Sequence, residues 1–347
     1  MPLASQNERT QDQRTIFQYV QFANGKEILK LAAPLVVMAL AFIQDTAMPA
    51  VYPEGYVEAR YPAFLMISLV IYLVCAVLSV WFKPVRSKVI HFWGLLIVAY
   101  GLLMAYNYNT VKTGNLLLPV MPSPDAILNG FFEDVGGTAS GATGGLFFHF
   151  MGSFSLLLQG VALGFVAGMI YGTLMGYSRF WNYWLQPIIK IIGPVPSTAW
   201  MAIAMVLAPS SHTASVFLVS LTTWFPLSVN LSGGIRGVPK AFIERAETMG
   251  ASPFYIIRHV IYPAVLPNIF TGLFMGLCFS LTALVTAEAL GVEAGLGWVI
   301  NHAQGWNEFD LIFSSVIVFI LMAFVLLTIL FKVQKHCMKW SKGAIQW

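Results

Sequence analysis

Four long stretches of this chain carry no formal charge: Val135 to Ser178, Ile191 to Ile235, His259 to Ala287 and Leu311 to Phe331. About 20 apolar residues are enough for a helix to cross the hydrocarbon core of a bilayer. Each stretch is therefore long enough to cross, and the first two leave room for uncharged loop as well. In lipid a spanning segment has to satisfy its own backbone hydrogen bonds, which a helix does within itself. Composition agrees: 58% of the 347 residues are hydrophobic, 10% are charged, and mean hydropathy is +0.73. Soluble domains carry far more charge than this. The expected fold class is an all-α, polytopic bundle integral to the membrane.

Eight hydrophobic segments can be read, at roughly 28–44, 61–82, 89–106, 154–177, 188–208, 213–231, 263–287 and 311–331. The first contains Pro34. The fifth has Pro187, Pro194 and Pro196 at or near its start, so its helical part is expected to begin near Ser197. Eight spans place both termini on one side, and charge tests that parity, because basic residues collect on the cytoplasmic side. With the N-terminus inside, 17 of the 19 Lys and Arg residues fall in inner segments or at their edges, and only Arg60 and Lys112 fall outside. The acidic residues lean the other way, ten outside and five inside. Both termini are therefore expected to be cytoplasmic.

Two regions are expected. Residues 1–116 form an N-terminal extension with about three spans, and residues 117–340 form a core of five. The loop before the core holds Met121-Pro122-Ser123-Pro124, a short amphipathic helix from Asp125 to Asp134, and a glycine-rich run, Gly136 to Gly145. That run is not a phosphate loop, because no Gly-Lys-Ser/Thr follows to bring a lysine to the phosphates. No ATP-binding motif occurs elsewhere in the chain. Met1 to Arg14 lacks the basic, apolar, small-residue order of a cleaved leader. Cys75, Cys278 and Cys337 are scattered, which argues against a disulfide framework or a metal site. Neither catalytic motifs nor paired intramembrane carboxylates are present, so no catalytic residue, metal or cofactor is expected on this chain, and no nucleic-acid partner.

Between the sixth and seventh spans runs the segment from Gly233 to Pro263. Pro239 suits a helix first turn, and Lys240 to Met249 are good helix formers, with Phe242, Ala246 and Met249 expected to share a face. Gly250 is placed to end that helix as a C′ glycine. Ser252-Pro253 caps and opens a second short helix, and Pro263 begins the next span. This part, 239–262, resembles the cytoplasmic coupling loop of binding-protein-dependent ABC importer permeases, whose pattern is Glu-Ala-Ala, three residues, Gly, nine residues, Ile, one residue, Leu-Pro. Glu244, Ala246, Gly250 and Pro263 match in register, while Arg245, Val260 and Tyr262 depart from it. Met121-Pro122-Ser123-Pro124, Val195 to Trp200, Ala287 to Gly291 and Gly295-Leu296-Gly297-Trp298 resemble the nitrate, sulfonate, taurine and bicarbonate branch. The chain departs from that branch in having three spans, not one, before the core.

The resemblance implies a type I importer transmembrane fold and a permease subunit. Such a subunit pairs with a second copy and carries a small, anionic or related organic solute from an extracytoplasmic binding protein. ATP and Mg would be held by a separate cytoplasmic ATPase dimer, which the coupling loop contacts. Polar groups within spans are costly and face a cavity or another helix, so Trp200, Thr222, Asn230, Thr282, Thr286 and Glu288 are candidate pathway residues. Helix-to-helix hydrogen bonding by the hydroxyls, a capping role for Glu288 and interfacial anchoring by Trp200 are the structural alternatives. His302, Trp306 and Glu308 fall on the expected outer side, where a binding protein would dock or a plain loop would lie. The competing functions are an ion-gradient-driven transporter, against which no inverted repeat or midplane charge is found, and a non-transporting membrane scaffold.

Overall fold

A computed structural model describes residues 24–51, 60–116, 120–135, 144–193, 195–292 and 294–339. The N-terminal segment Met1 to Arg14, residues 136–143 of the glycine-rich run, and Pro194 lie outside them. Two compact units divide between Phe132 and Glu133. The segment from 120 to 132, expected with the core, thus belongs to the first unit.

In the first unit, α1 (Gly25–Ala47), α2 (Arg60–Trp81) and α3 (Lys83–Asn107, extended by a π turn Tyr108–Lys112) pack around Met38, Tyr61, Leu65, Tyr72 and Tyr100. Asn24 and Glu27 form a capping box at the start of α1. The short helix expected over 125–134 is α4 (Pro124–Val135). Its Asp125 accepts the backbone N–H of Tyr61 at 2.7 Å and so caps α2. Burial pushes the Asp125 carboxyl up to about 6, opposed by that amide and by Lys112 and reinforced by Asp45. Lys112 is tied to the end of α1: its Nζ donates to the carbonyls of Asp45 and Met48 and lies 3.7 Å from the Asp45 carboxylate.

The second unit contains α5 (Leu146–Tyr177), α6 (Arg179–Ile192), α7 (Ser197–Leu207) and α8 (Ser211–Gly237). These are followed by α9 (Lys240–Thr248), α10 (Pro253–Ile256), α11 (Tyr262–Gly291), α12 (Leu296–Trp306) and α13 (Phe309–Cys337). Glycines at every fourth position of α5 set its closest packing, a small-residue seam that lets two backbones approach. A Cβ on Gly164 would stand 2.5 Å from the Ser220 carbonyl oxygen; on Gly168, 2.8 Å from Leu227; on Gly172, 2.9 Å from Leu231; on Gly176, 2.7 Å from Ile235. Gly160 opposes Val219 in the same series. Residue numbers rise together on both helices, so α5 and α8 are parallel. Across the other side of α8 they run in opposition: Gly276 meets Thr223, Gly272 meets Leu227 and Gly234 meets Asn268. α11 is therefore antiparallel to α8.

The parallel pair decides the span count. Among the described residues, seven helices are individually long and apolar enough to cross, while α6 and α7 meet at a bend of 102°. Two parallel neighbours in one bilayer require the chain between them to return across it. Residues 182–201 make that return: Asn182 bonds Arg236, Ile189 packs in a cluster with Trp224, Gly193 lies against the Phe225 ring, and Met201 packs with Leu218. The fifth segment is thus one crossing, giving the eight expected. It is not the straight helix over 188–208 that hydrophobicity alone suggests. α6 is a separate helix, and α7 begins at Ser197 as the prolines indicate. Burial grades the bundle: over half of the apolar window of α8 and half of that of α11 is enclosed, against 6% for α13.

Candidate functional site

The α9 end of the second unit is built around a helix terminus. Gly250 adopts φ +79°, the left-handed conformation that glycine takes without a Cβ penalty. Its N–H donates to the Glu247 carbonyl at 2.9 Å, and the Ala251 N–H donates to the Ala246 carbonyl at 3.0 Å. Those two bonds are the Schellman closure, with Gly250 at C′ as expected. No atom lies within 4 Å of where a Gly250 Cβ would be. The constraint on Gly250 is therefore conformational, and the space around it is open.

The faces of α9 differ from expectation. Ala246 and Ile243 pack inward against Ile235, Val238, Ile256 and Ile261, whereas Phe242 and Met249 are 51% and 87% exposed. Phe242, Ala246 and Met249 thus do not share one face. Positions 243 and 246 are one turn apart and take the buried side. Glu244, Arg245 and Gly250 are exposed. Arg245 consequently changes the surface of the loop and leaves its packing alone.

Beyond Gly250, Ser252 caps α10 by accepting the Tyr255 N–H at 3.3 Å. α10 then does not stop at Pro263. It runs through a π turn, Ile257–Ile261, straight into α11. Pro263 and Pro267 have no N–H to donate to the preceding turn, and a wider turn accommodates that loss without breaking the helix. Tyr262 has a role of its own: its hydroxyl is 3.0 Å from that of Thr173 on α5, tying the base of α11 to the α5–α8 pair.

At its far end α11 meets α12, and here three side chains cap one helix start. The Gly295 N–H donates to His149 Nδ1 at 3.1 Å, the Leu296 N–H to Ser153 Oγ at 2.8 Å, and the Gly297 N–H to Glu288 Oε2 at 2.8 Å. Ser153 in turn donates to the same Glu288 oxygen at 2.9 Å. The His149 ring stacks on Trp298, and Trp298 on His302. A Cβ on Gly295, at φ +133°, would collide with the Glu288 carboxylate, and one on Gly297 would stand 2.6 Å from the Val285 carbonyl oxygen. Glu288 is wholly buried, so of its candidate roles the geometry supports capping. His149 and Ser153 were not singled out by sequence reasoning. The sequence signal available was a His and a Ser four apart on one face of an otherwise apolar helix.

The other candidate pathway residues divide. Trp200, Thr222 and Thr282 line a cavity of about 490 Å³ between the α6–α7 bend, α8 and α11. Asn230 is directed elsewhere, its amide donating to the Pro226 carbonyl at 2.8 Å. Thr286 donates to the Thr282 carbonyl within α11. Of the candidates at the α12 end, Trp306 is exposed, and His302 is half-buried in the aromatic stack. No cluster of three or more His, Cys, Asp or Glu suited to a metal ion occurs among the described residues.

A parallel glycine-sealed helix pair, a broken crossing beside it and an exposed capped helix at one end define a polytopic membrane protein. The sequence profile of the binding-protein-dependent transport system inner membrane component matches residues 160–340, just over half of the chain, and the chain belongs to that family. Its type I importer transmembrane fold, preceded by the additional N-terminal helices, follows from that membership. The chain is 28% identical over 233 residues to a putative ABC transporter permease of Methanocaldococcus jannaschii, covering 67% of this chain and 84% of that one. It is 27% identical over 261 residues to the putative aliphatic sulfonates transport permease SsuC of Bacillus subtilis, covering 75% and 92%. The taurine transport system permease TauC of Escherichia coli is 27% identical over 238 residues, covering 68% and 86%. Among solved structures the chain is similar to a chain of the MetNI methionine ABC transporter in an inward-facing conformation, with TM-score 0.48 and 16% identity over 53% of this chain and 92% of that one.

Proposed function

We propose that two copies of this chain form the translocation pathway of an ATP-driven importer, with the α9 end cytoplasmic and the α12 end facing an extracytoplasmic binding protein. ATP and its Mg belong to a separate ATPase dimer, which docks on α9. The solute is of the small sulfonate, nitrate, bicarbonate or related organic class named for the relatives. The observation that carries this reading is the exposed α9, closed at Gly250 and keeping Glu244, Ala246, Gly250 and Pro263 in the family register. The charge distribution supports the orientation, since α9 and its flanks hold Arg236, Lys240, Arg245 and Arg258. A rigid link fits the mechanism. The inward side of α9 packs on Ile256 and Ile261, which lead without a break into α11, so force applied to α9 reaches the α8–α11 centre.

The test is reconstitution in proteoliposomes of the purified chain with an ABC ATPase and an extracytoplasmic binding protein that co-purify with it. Uptake is expected only with all three present and ATP supplied, and the chain alone is expected to hydrolyse no ATP. Uptake by the lone chain driven by an ion gradient would overturn the reading.

A further inference from the structure

The relatives' solutes include compact oxyanions, yet the cavity beside the broken crossing is built for something else. Three aromatic rings face it, Trp200 from α7, Phe225 from α8 and Phe279 from α11. Hydroxyls of Ser197, Thr222 and Thr282 complete the polar part of its wall. None of its described lining residues carries a formal charge. A compact anion entering such a wall leaves its hydration shell with no opposite charge to replace it, which is among the most expensive transfers in a protein. A flat ring loses little on leaving water and gains stacking and edge contacts from aromatic walls.

The hydrogen-bonding groups are also disposed for a neutral molecule. The Trp200 indole Nε1 is enclosed, so Trp200 gives the wall its ring and no accessible N–H. Thr222 donates to the Val219 carbonyl at 2.8 Å, and its oxygen, 3.2 Å from the Ser280 hydroxyl, keeps a lone pair with which to accept. Thr282 is bonded only at 3.4 Å, to the Cys278 carbonyl. Two accepting oxygens stand among the rings. On α8 the ring and hydroxyl are Phe225 and Thr222; on α11 they are Phe279 and Thr282, each pair three residues apart and so on one helix face. Because the helices are antiparallel, the two pairs present rings and hydroxyls at successive depths. The Phe225 ring is itself fixed against Gly193, at the bend of the crossing.

We infer that this cavity receives an uncharged, flat, ring-bearing organic solute that offers hydrogen-bond donors to Thr222 and Thr282. The inference rests on reading the cavity as part of the pathway, and it narrows the solute within the organic end of the proposed class. Its volume is in the range of small-molecule sites.

The test uses the full-length chain in lipid nanodiscs with benzamide as probe, followed by saturation-transfer NMR. Saturable benzamide binding is expected, undiminished by equimolar sodium nitrate, sodium bicarbonate or taurine. Thr222→Val and Thr282→Val each keep the shape and remove one hydroxyl. Each is expected to weaken benzamide about 10-fold, the equivalent of one buried hydrogen bond. Thermal unfolding of each variant confirms that the chain remains folded. Absence of saturable binding, displacement by nitrate or taurine at equal concentration, or wild-type affinity in both variants would each overturn the inference. Loss of ATP-driven uptake bears on the preceding proposal alone, because benzamide binding is read without ATPase or binding protein. Conversely, a working importer whose cavity ignores benzamide sinks only this inference.

Discussion

At one end of α11 the chain turns at Gly250, with open space where a side chain would stand. At the other it turns at Gly295 and Gly297, where a Cβ would meet the Glu288 carboxylate or the Val285 backbone. Both ends carry glycines and a glutamate in the positions that the family resemblance marks. Glu244 is exposed beside the first turn, and Glu288 is wholly buried under the second. The same residue types serve opposite purposes. The α9 end has satisfied its own backbone and left a surface free, whereas the α12 end has used its polar groups to close itself. A motif residue at the first end is thus expected to act through a partner, and one at the second through the fold.

The comparison would be broken most severely at the closed end and its supporting seam. Gly164→Leu drives a side chain into the Ser220 backbone and Gly297→Leu one into Val285, so neither chain is expected to accumulate in the membrane. Immunoblotting of membrane fractions measures this, and normal accumulation of both would show that the seam and the cap are slack. Glu288→Ala comes next. It leaves the Gly297 N–H and the Ser153 hydroxyl without their acceptor, at about 1–3 kcal/mol for each buried group. A lowered unfolding midpoint in detergent is expected, with Glu288→Gln falling between, because the amide oxygen still accepts.

At the open end the cost to the fold is small and the functional cost large. Gly250→Val forces a branched residue to φ +79°, about 1–2 kcal/mol of local strain. The variant is expected in the membrane in near-normal amount, with ATP-driven uptake abolished. Gly250→Asn, which tolerates this conformation, is expected to retain part of the uptake. Uptake assays paired with membrane immunoblots separate the two effects.

The smallest expected effect lies in the first unit. The Asp125 carboxyl titrates at about 6 in the folded chain against 3.8 ordinarily, because burial penalises its charge. Between those values the folded chain holds a proton that the unfolded chain has released. Stability therefore falls as pH rises through that window and is level above it. Asp125→Asn is expected to flatten this part of the profile of unfolding midpoint against pH, measured on the full chain.

What the sequence made legible follows from how local each signal is. Gly250 at C′, Ser252 at the N-cap and the helix start at Ser197 depend on neighbours within a turn, and all three stand where they were expected. The span count reaches eight where the bent pair α6–α7 is one crossing, which the parallel α5 and α8 require, although hydrophobicity alone suggests a straight helix there. Glu288 was ambiguous because its partners, Ser153 and Gly297, come from two other elements, one of them 135 residues away. The α5 seam is different. Its five glycines at four-residue spacing were in plain view, and the length of the apolar run drew attention away from its small-residue face. The continuity of α10 into α11 was hidden by Pro263, which normally signals a helix start and here is absorbed by a π turn.

The contrast between the two ends of α11 is tested most directly by site-directed cross-linking in membranes containing the whole assembly. Cys75, Cys278 and Cys337 are first replaced by serine, and a single cysteine is then introduced as Met249→Cys at the open end or Trp306→Cys at the closed one. Both positions are at least 70% exposed. The account predicts that a cysteine-reactive cross-linker joins Met249→Cys to the ATPase subunit and Trp306→Cys to no ATPase at all. Cross-linking of the ATPase at position 306, or its failure at position 249 in an assembly that still imports with ATP, would contradict it.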